Sequence, residues 1–227
     1  MLEMFTAEFW SEYGALLAEG TVDTLIMTVV STLFAYLLGL PMGVVLTLTQ
    51  PHGICSNRGV NRALGWVVNI GRSLPFLILM IAIMPFTKFI IGTKIGVKGA
   101  IVPLVVSAAP FIARMVETAL AEVDAGVVEA AQSMGASPLQ IVWKVYLPEA
   151  KPSLILGAAI SIVTILGYTT IAGTVGAGGL GDIAVRYGHN RFITSVMWVS
   201  VILLIVMVQI IQLVFNALSK KVDKRLK

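Results

Sequence analysis

Five runs of apolar residues divide this sequence, at about residues 24–49, 74–90, 99–115, 154–175 and 192–215. A helix that crosses a bilayer needs roughly 20 predominantly apolar residues, so each run is a candidate membrane span. Only 12% of the 227 residues are charged and 57% are hydrophobic, whereas a soluble domain usually has about 25% charged residues. The sequence therefore predicts an all-α integral membrane protein with five transmembrane helices per subunit.

The second run is predicted to begin only at Leu74 because Arg72 lies just before it. Placing an arginine at the centre of a bilayer costs roughly 2.5 to 3.5 kcal/mol on insertion scales. We therefore expect residues 63–70 to lie at the membrane interface. In the first run, Gly39 and Gly43 have the GxxxG spacing, which predicts a face for close helix packing.

The basic residues predict the orientation, since cytoplasmic loops carry an excess of Lys and Arg. Five spans place the termini on opposite sides. With the C-terminus in the cytoplasm, the cytoplasmic cations are Arg58, Arg62, Arg72, Arg114, Lys144, Lys151, Lys220, Lys221, Lys224, Arg225 and Lys227, against Lys88, Lys94, Lys98, Arg186 and Arg191 outside. We expect an extracytoplasmic segment 1–20, which lacks the basic region of a signal peptide, a transmembrane domain 21–216 and a basic cytoplasmic tail 217–227.

The sequence lacks common nucleotide-binding and catalytic motifs. It has no GxxxxGK[ST] phosphate-binding loop, no HExxH and no GxSxG. One cysteine and two histidines far apart argue against a metal site, so we predict no catalytic residue, no metal and no directly bound cofactor. Residues 176–181 match GxGxxG, but they follow a membrane span and not a strand, which predicts a tight turn.

The polar segment between the third and fourth runs, residues 124–150, is called the central loop below. Val127, Ala130, Ala131 and Met134 fall at i, i+3, i+4 and i+7, which predicts an apolar stripe on a short helix. Gly135 can end that helix in a left-handed turn. A second helix is then predicted from a capping box, in which Ser137 precedes Pro138 and Gln140 follows three residues after Ser137.

The central loop resembles the EAA signature of permease subunits of bacterial ATP-binding-cassette (ABC) importers. That signature is EAA, three residues, glycine, nine residues and I-x-L-P, and only Val145, in place of isoleucine, departs from it. The resemblance implies the type I ABC importer permease fold and a loop that couples the permease to a separate ATPase. The coupling residues that it implies are Glu129, Ala130, Ala131, Gly135, Ser137, Pro138, Val145, Leu147 and Pro148.

Residues 72–76, 108–117 and 175–181 are similar to methionine-importer permeases in particular. The likeness implies a homodimer in the bacterial inner membrane, with two ABC ATPase subunits that bind ATP and Mg²⁺ and an extracytoplasmic substrate-binding lipoprotein. Nucleic acid is not an expected partner. Related permeases carry D-methionine, other sulfur compounds, related amino acids or dipeptides, so these substrates remain open.

The solute pathway is predicted from hydroxyl groups on the fourth span. Ser161, Thr164 and Tyr168 form a polar stripe that could face a solute, although hydroxyls in membrane helices also bond to helix carbonyls. No acidic residue lies at the middle of a predicted span, whereas ion-coupled transporters usually carry one there. The alternatives are an ion-coupled secondary transporter, since backbone carbonyls can also hold sodium, and a membrane subunit without transport.

Overall fold

The computed structural model describes residues 6–222, and this part of the chain consists of helices and the turns between them. Four helices are long and apolar enough to cross a membrane. They are α1 (Ala7–Leu48), α5 (Gly96–Ala121), α9 (Lys151–Gly173) and α11 (Thr194–Val222). They correspond to four of the five predicted spans, and each extends beyond its predicted run at one end or both.

Shorter helices connect the long ones. They are α2 (Arg58–Ser73), α3 (Phe76–Ala82), α4 (Met84–Ile91), α6 (Ala125–Ser133), α7 (Pro138–Ile141), α8 (Leu147–Glu149) and α10 (Gly179–Ile183). Two π-helical turns follow α7 and α10, at Val142–Tyr146 and Ala184–His189.

The second predicted span differs from the structure. Residues 74–90 do not form one helix, because the chain turns by 102° between α2 and α3 and breaks again at Ile83. Pro75 and Pro85 stand at these two breaks, where a proline removes a backbone donor and disfavours a helical residue before it. Helices α2 and α3 together make the fifth candidate span. Residues 63–70 are part of α2, and their expected position at the membrane interface stays a prediction.

Helix α1 is also longer than the span predicted within it. It runs unbroken for 42 residues from Ala7, so the predicted N-terminal segment and the first span are one helix from that point. At the other end, α11 continues to Val222 and includes the first part of the predicted tail. Residues 1–5 and 223–227 of those two predicted segments lie outside the described residues.

The chain divides into two compact units. The first unit comprises Met1–Phe34, Leu74–Ser107 and Ile162–Gln212. Its hydrophobic core is formed by Phe9, Leu17, Leu166, Leu180, Ile183, Val196, Val199 and Met207. The glycine-rich residues 176–181 close against this core, as Leu180 donates its backbone N–H to Thr24 Oγ1 at 2.9 Å. The prediction of a tight turn at these residues is confirmed by the left-handed φ angles of Gly176, Gly178 and Gly179.

The second unit comprises Ala35–Ser73, Ala108–Ser161 and Leu213–Lys227. In it, α1 packs against α5 through Gly39 and Gly43. A Cβ atom on Gly39 would lie 2.8 Å from the carbonyl oxygen of Ala109, and one on Gly43 would lie 2.5 Å from that of Ala113. These contacts confirm the predicted glycine packing face.

Candidate functional site

The central loop begins with a capped helix. Asp124 precedes α6, and its Oδ1 accepts hydrogen bonds from the backbone N–H groups of Gly126 at 2.8 Å and Val127 at 3.3 Å. This cap satisfies donors that a helix N-terminus otherwise leaves unpaired. Sequence analysis overlooked Asp124, although an aspartate just before a helix is the ordinary signal of an N-cap.

The turn between α6 and α7 has the predicted geometry. Gly135 has a φ of 78°, in the left-handed region, and Ala136 donates its N–H to the Ala131 carbonyl at 3.1 Å. The capping box of α7 is also confirmed, since Ser137 donates its N–H to Gln140 Oε1 at 2.8 Å and its side chain accepts from the Gln140 N–H. Both short helices therefore have defined ends.

The inner face of the loop is a small hydrophobic cluster. Val128, Ala131 and Ile141 are buried, and the partly buried residues packed on them are Ile54, Val123, Ala136, Val145 and Tyr146. The predicted stripe is thus divided, because Ala131 faces this cluster whereas Val127, Ala130 and Met134 are exposed. The physical reason is that α6 has apolar residues on two faces, and Val128 completes the inner one.

The outer face of the loop consists of exposed apolar side chains: Val127, Ala130, Met134, Leu139 and Trp143. Met134 is 81% exposed, Leu139 68% and Trp143 64%. They accompany exposed polar residues such as Glu129 and Lys144 in a segment too polar to cross a bilayer. Exposed apolar patches with polar surroundings are typical of protein interaction sites, so the outer face is the part of the loop suited to a partner.

The end of the signature lies in the π-helical turn and α8. Val145 and Leu147 are half-buried, whereas Pro148, in the first turn of α8, is exposed. Tyr146 in the same turn is partly buried, and this burial raises the pKa of its phenol above the ordinary value of 10.0. Its hydroxyl therefore stays protonated near neutral pH.

Behind α6 lies a cavity of about 260 Å³. Its polar lining includes Gln50, His52, Glu129, Gln132 and Tyr146. Glu129 forms no ion pair with the residues between 6 and 222. The glutamate of the signature is therefore accessible to a partner and lines an unfilled space behind the helix.

Polar contacts fix the chain segments that flank the central loop. At the end of α5, Glu117 accepts a bond of 2.6 Å from Arg114 and another of 3.2 Å from the side-chain amide of Gln50. After the loop, Ser153 in α9 donates its hydroxyl to Glu122. Arg114 and Glu117 are thus an i, i+3 ion pair on α5. The loop is continuous in sequence with α5 and α9, so a displacement of the loop would be transmitted to both helices through the chain.

The predicted pathway residues have mixed environments. Ser161 is fully buried, and its hydroxyl donates to the Gly157 carbonyl at 2.8 Å. Thr164 and Tyr168 are half-buried, and the Tyr168 ring stacks on Phe76 with centroids 4.6 Å apart. Ser161 thus follows the alternative of bonding to its own helix, and a pathway role for the three residues remains a prediction.

The fold, the spans and the central loop define a transport permease. Residues 35–227 match the family described as the inner membrane component of binding-protein-dependent transport systems. The chain belongs to this family and is a multi-pass membrane component of a transporter.

Three similar proteins have names that state which kind of transport permease they are. The chain is 52% identical over 219 residues to the probable D-methionine transport system permease protein MetI of Vibrio cholerae, covering 96% of this chain and 97% of that one. It is 45% identical to the protein of the same description from Pasteurella multocida, covering 97% and 100%. The D-methionine transport system permease protein MetI of Escherichia coli is 51% identical over 158 residues, covering 70% and 73%.

Solved structures agree with this grouping. A chain of the MetNI methionine ABC transporter, in an inward-facing conformation, superposes with a TM-score of 0.93 at 46% identity, covering 94% of this chain and 99% of that one. A chain of an amino acid ABC transporter superposes with a TM-score of 0.76 at 18% identity, covering 96% and 100%. The second similarity concerns the fold alone, and the first supports the type I ABC permease architecture.

Proposed function

We propose that this chain is the permease subunit of a methionine importer in the bacterial inner membrane. Two copies form the translocation pathway through the membrane. Two ABC ATPase subunits bind ATP and Mg²⁺ on the cytoplasmic side, and an extracytoplasmic lipoprotein delivers the amino acid. The chain itself supplies the pathway and the mechanical coupling. ATP hydrolysis takes place on the partner.

The observation that carries the proposal is the exposed outer face of the central loop. Met134, Leu139 and Trp143 are large apolar side chains held away from the protein core by two capped helices. A short helical surface of this kind fits an apolar groove on another protein. The chain has no phosphate-binding loop of its own. An ATP-driven permease of this kind needs a partner ATPase, and the outer face is the surface that would bind it.

The coupling mechanism follows from the anchoring of the loop. When the two ATPase subunits close on ATP, a rigid loop seated in each would move with its ATPase. The loop is continuous with α5 and α9, and the bond between Ser153 and Glu122 joins the chain segments at its two ends, so both spans would follow this motion. The pathway would then open outward to the loaded binding protein, which is alternating access.

The proposed orientation rests on charge. It places the central loop in the cytoplasm, because the basic residues are more numerous on that side of the predicted topology. Methionine as the substrate is supported by the names of the relatives that match nearly the whole chain. To distinguish D-methionine, L-methionine, other sulfur compounds and dipeptides as substrates, each is added unlabelled as a competitor of labelled methionine in an uptake assay.

The test is uptake by proteoliposomes that contain the permease, its ATPase and the binding protein. Labelled methionine should accumulate only with internal ATP, and replacement of the phosphate-binding lysine of the ATPase should abolish accumulation. Uptake that persists with that ATPase variant and depends on an ion gradient would indicate a secondary transporter. A correctly assembled complex that transports none of the candidate solutes would indicate a membrane subunit without transport.

A further inference from the structure

Arg72 lies at an unexpected depth in the second unit. Helix α2 starts beside the end of α1, where Asn61 donates its side-chain N–H to the Leu46 carbonyl at 2.9 Å. It then runs antiparallel to α5. Val68 packs in a cluster with Ala113, and a Cβ atom on Gly71 would lie 2.5 Å from Cγ of Pro110.

Pro110 is close to the midpoint of α5, a helix that is long enough to cross the bilayer. Gly71 touches it, so the next residue, Arg72, is near the same level. At 1.5 Å per residue, Arg72 is about 16 Å further along α2 than Asn61. With α5 crossing the bilayer, this packing would place a cation well inside the membrane, where charged side chains normally face a water-filled cavity or a partner.

Helix α2 has three distinct faces. Leu64, Val68 and Gly71 pack inward. An exposed apolar face consists of Val60, Val67 and Ile70, and the exposed Trp66, four residues after Arg62, lies at its border with the third face. The third face, called the basic stripe, is exposed and consists of Arg58, Arg62, Asn69, Arg72 and Ser73. The helical period keeps the last two faces apart, so α2 can present one to apolar surroundings and the other to water.

No carboxylate is available to neutralise Arg72 at this depth. Within residues 6–222 it forms no ion pair. Helices α9 and α11 contain no acidic residue, and the acidic residues described in α1 lie before Thr24. The one acid of α5, Glu117, is already paired with Arg114. The described parts of α1, α5, α9 and α11 in a second copy therefore bring no free carboxylate to this level, and lipid phosphates lie at the membrane surface.

We propose that Arg72 lines the transport pathway and binds the carboxylate of the passing amino acid, while Arg58 and Arg62 continue the basic stripe towards the cytoplasm. A guanidinium matches a carboxylate with two parallel hydrogen bonds. Every α-amino acid offers that group, so this contact would guide the substrate and leave side-chain selection to other parts of the transporter. The inference rests on the proposed function, because it requires an amino acid as the solute.

The test replaces Arg72 with cysteine in a Cys55→Ser chain that is assembled with its partners in proteoliposomes. Aminoethyl methanethiosulfonate adds a cation to an accessible thiol, and sulfonatoethyl methanethiosulfonate adds an anion. We expect Arg72→Cys to lower methionine uptake at least tenfold, the cationic reagent to restore it at least threefold, and the anionic reagent to restore none. Ile70→Cys, on the apolar face two residues earlier, is the matched control and should react at least tenfold more slowly.

Arg72→Gln provides a second measurement. It should lower uptake at least tenfold, while stimulation of ATP hydrolysis by the loaded binding protein stays within twofold, which shows that the complex is assembled. Uptake by Arg72→Gln at the unsubstituted rate, a thiol in Arg72→Cys that neither reagent reaches, or equal rescue by both reagents would overturn the inference. If the unsubstituted complex shows no ATP-dependent methionine uptake, the proposed function itself fails.

Discussion

Replacing Gly135 with valine should uncouple ATP hydrolysis from transport. The glycine has a φ of 78°, and no atom lies within 4 Å of the position that a Cβ would occupy. An added Cβ therefore meets no neighbouring atom, and the expected effect of valine comes from the backbone conformation. A non-glycine residue held in such a region costs about 1 to 3 kcal/mol, with a β-branched side chain towards the upper end of this range.

That cost sets the size of the expected effect. Since each 1.4 kcal/mol is a factor of ten in population, the native elbow between α6 and α7 would be populated roughly 5- to 150-fold less relative to competing loop conformations. The outer face would then be presented incorrectly. The apparent affinity for the ATPase should fall once the competing loop conformations are more populated than the native one.

The assay is the number of methionine molecules transported per ATP hydrolysed in proteoliposomes, with membrane insertion measured separately. Gly135→Asn is the matched control, because asparagine tolerates the left-handed conformation better than other side chains, and it should stay close to the unsubstituted ratio. If Gly135→Val and Gly135→Asn transport equal numbers of methionine molecules per ATP hydrolysed, the left-handed φ of this glycine is not what coupling requires, and the reasoning is refuted.

Three further predictions concern the loop and the helix packing. Trp143→Ala should weaken ATPase binding about tenfold or more, as expected for an aromatic anchor, in a pull-down titration; unchanged binding would contradict the role of the outer face. Asp124→Ala should lower the stability of α6 by about 1 kcal/mol and speed amide hydrogen exchange at Gly126, whereas Asp124→Asn should keep this amide protected. Equal exchange rates in the two variants would contradict the capping role of Asp124. Gly43→Ala should lower stability by about 1 to 3 kcal/mol through overpacking, measured by thermal unfolding in detergent. Gly65→Ala, whose added Cβ would lie 3.9 Å from the nearest atom, should cause no loss, and equal losses in both would contradict the packing argument.

The features that sequence analysis predicted correctly are local. The capping box at Ser137, the left-handed Gly135 and the glycine packing face of α1 follow from residues a few positions apart. Such patterns are fixed by backbone geometry and by short-range hydrogen bonds. The four long helices were predictable for a similar reason, because length and hydropathy suffice for a membrane span.

The features that it predicted wrongly depend on distant contacts. Periodicity placed Val127 and Ala131 on one stripe, but Ile54 and Ile141 from other parts of the chain select Val128 and Ala131 as the inner face. The prediction of residues 74–90 as one span was also wrong, because an apolar run does not fix where helices end, and the chain breaks between α2 and α3 and again at Ile83. The placement of residues 63–70 at the membrane interface stays a prediction.

The contact of Gly39 and Gly43 with α5 determines where this protein can deform. Helix α1 rests there on the carbonyl groups of Ala109 and Ala113 and on the side chains of Ile112 and Val116, whose β-branched form restricts their rotamers. The contact therefore has little compliance, and a push on α5 from the central loop would pass to α1 through it. Relative movement has to be taken up elsewhere, and the breaks before Phe76 and at Ile83 are the places where the helical hydrogen bonding already stops.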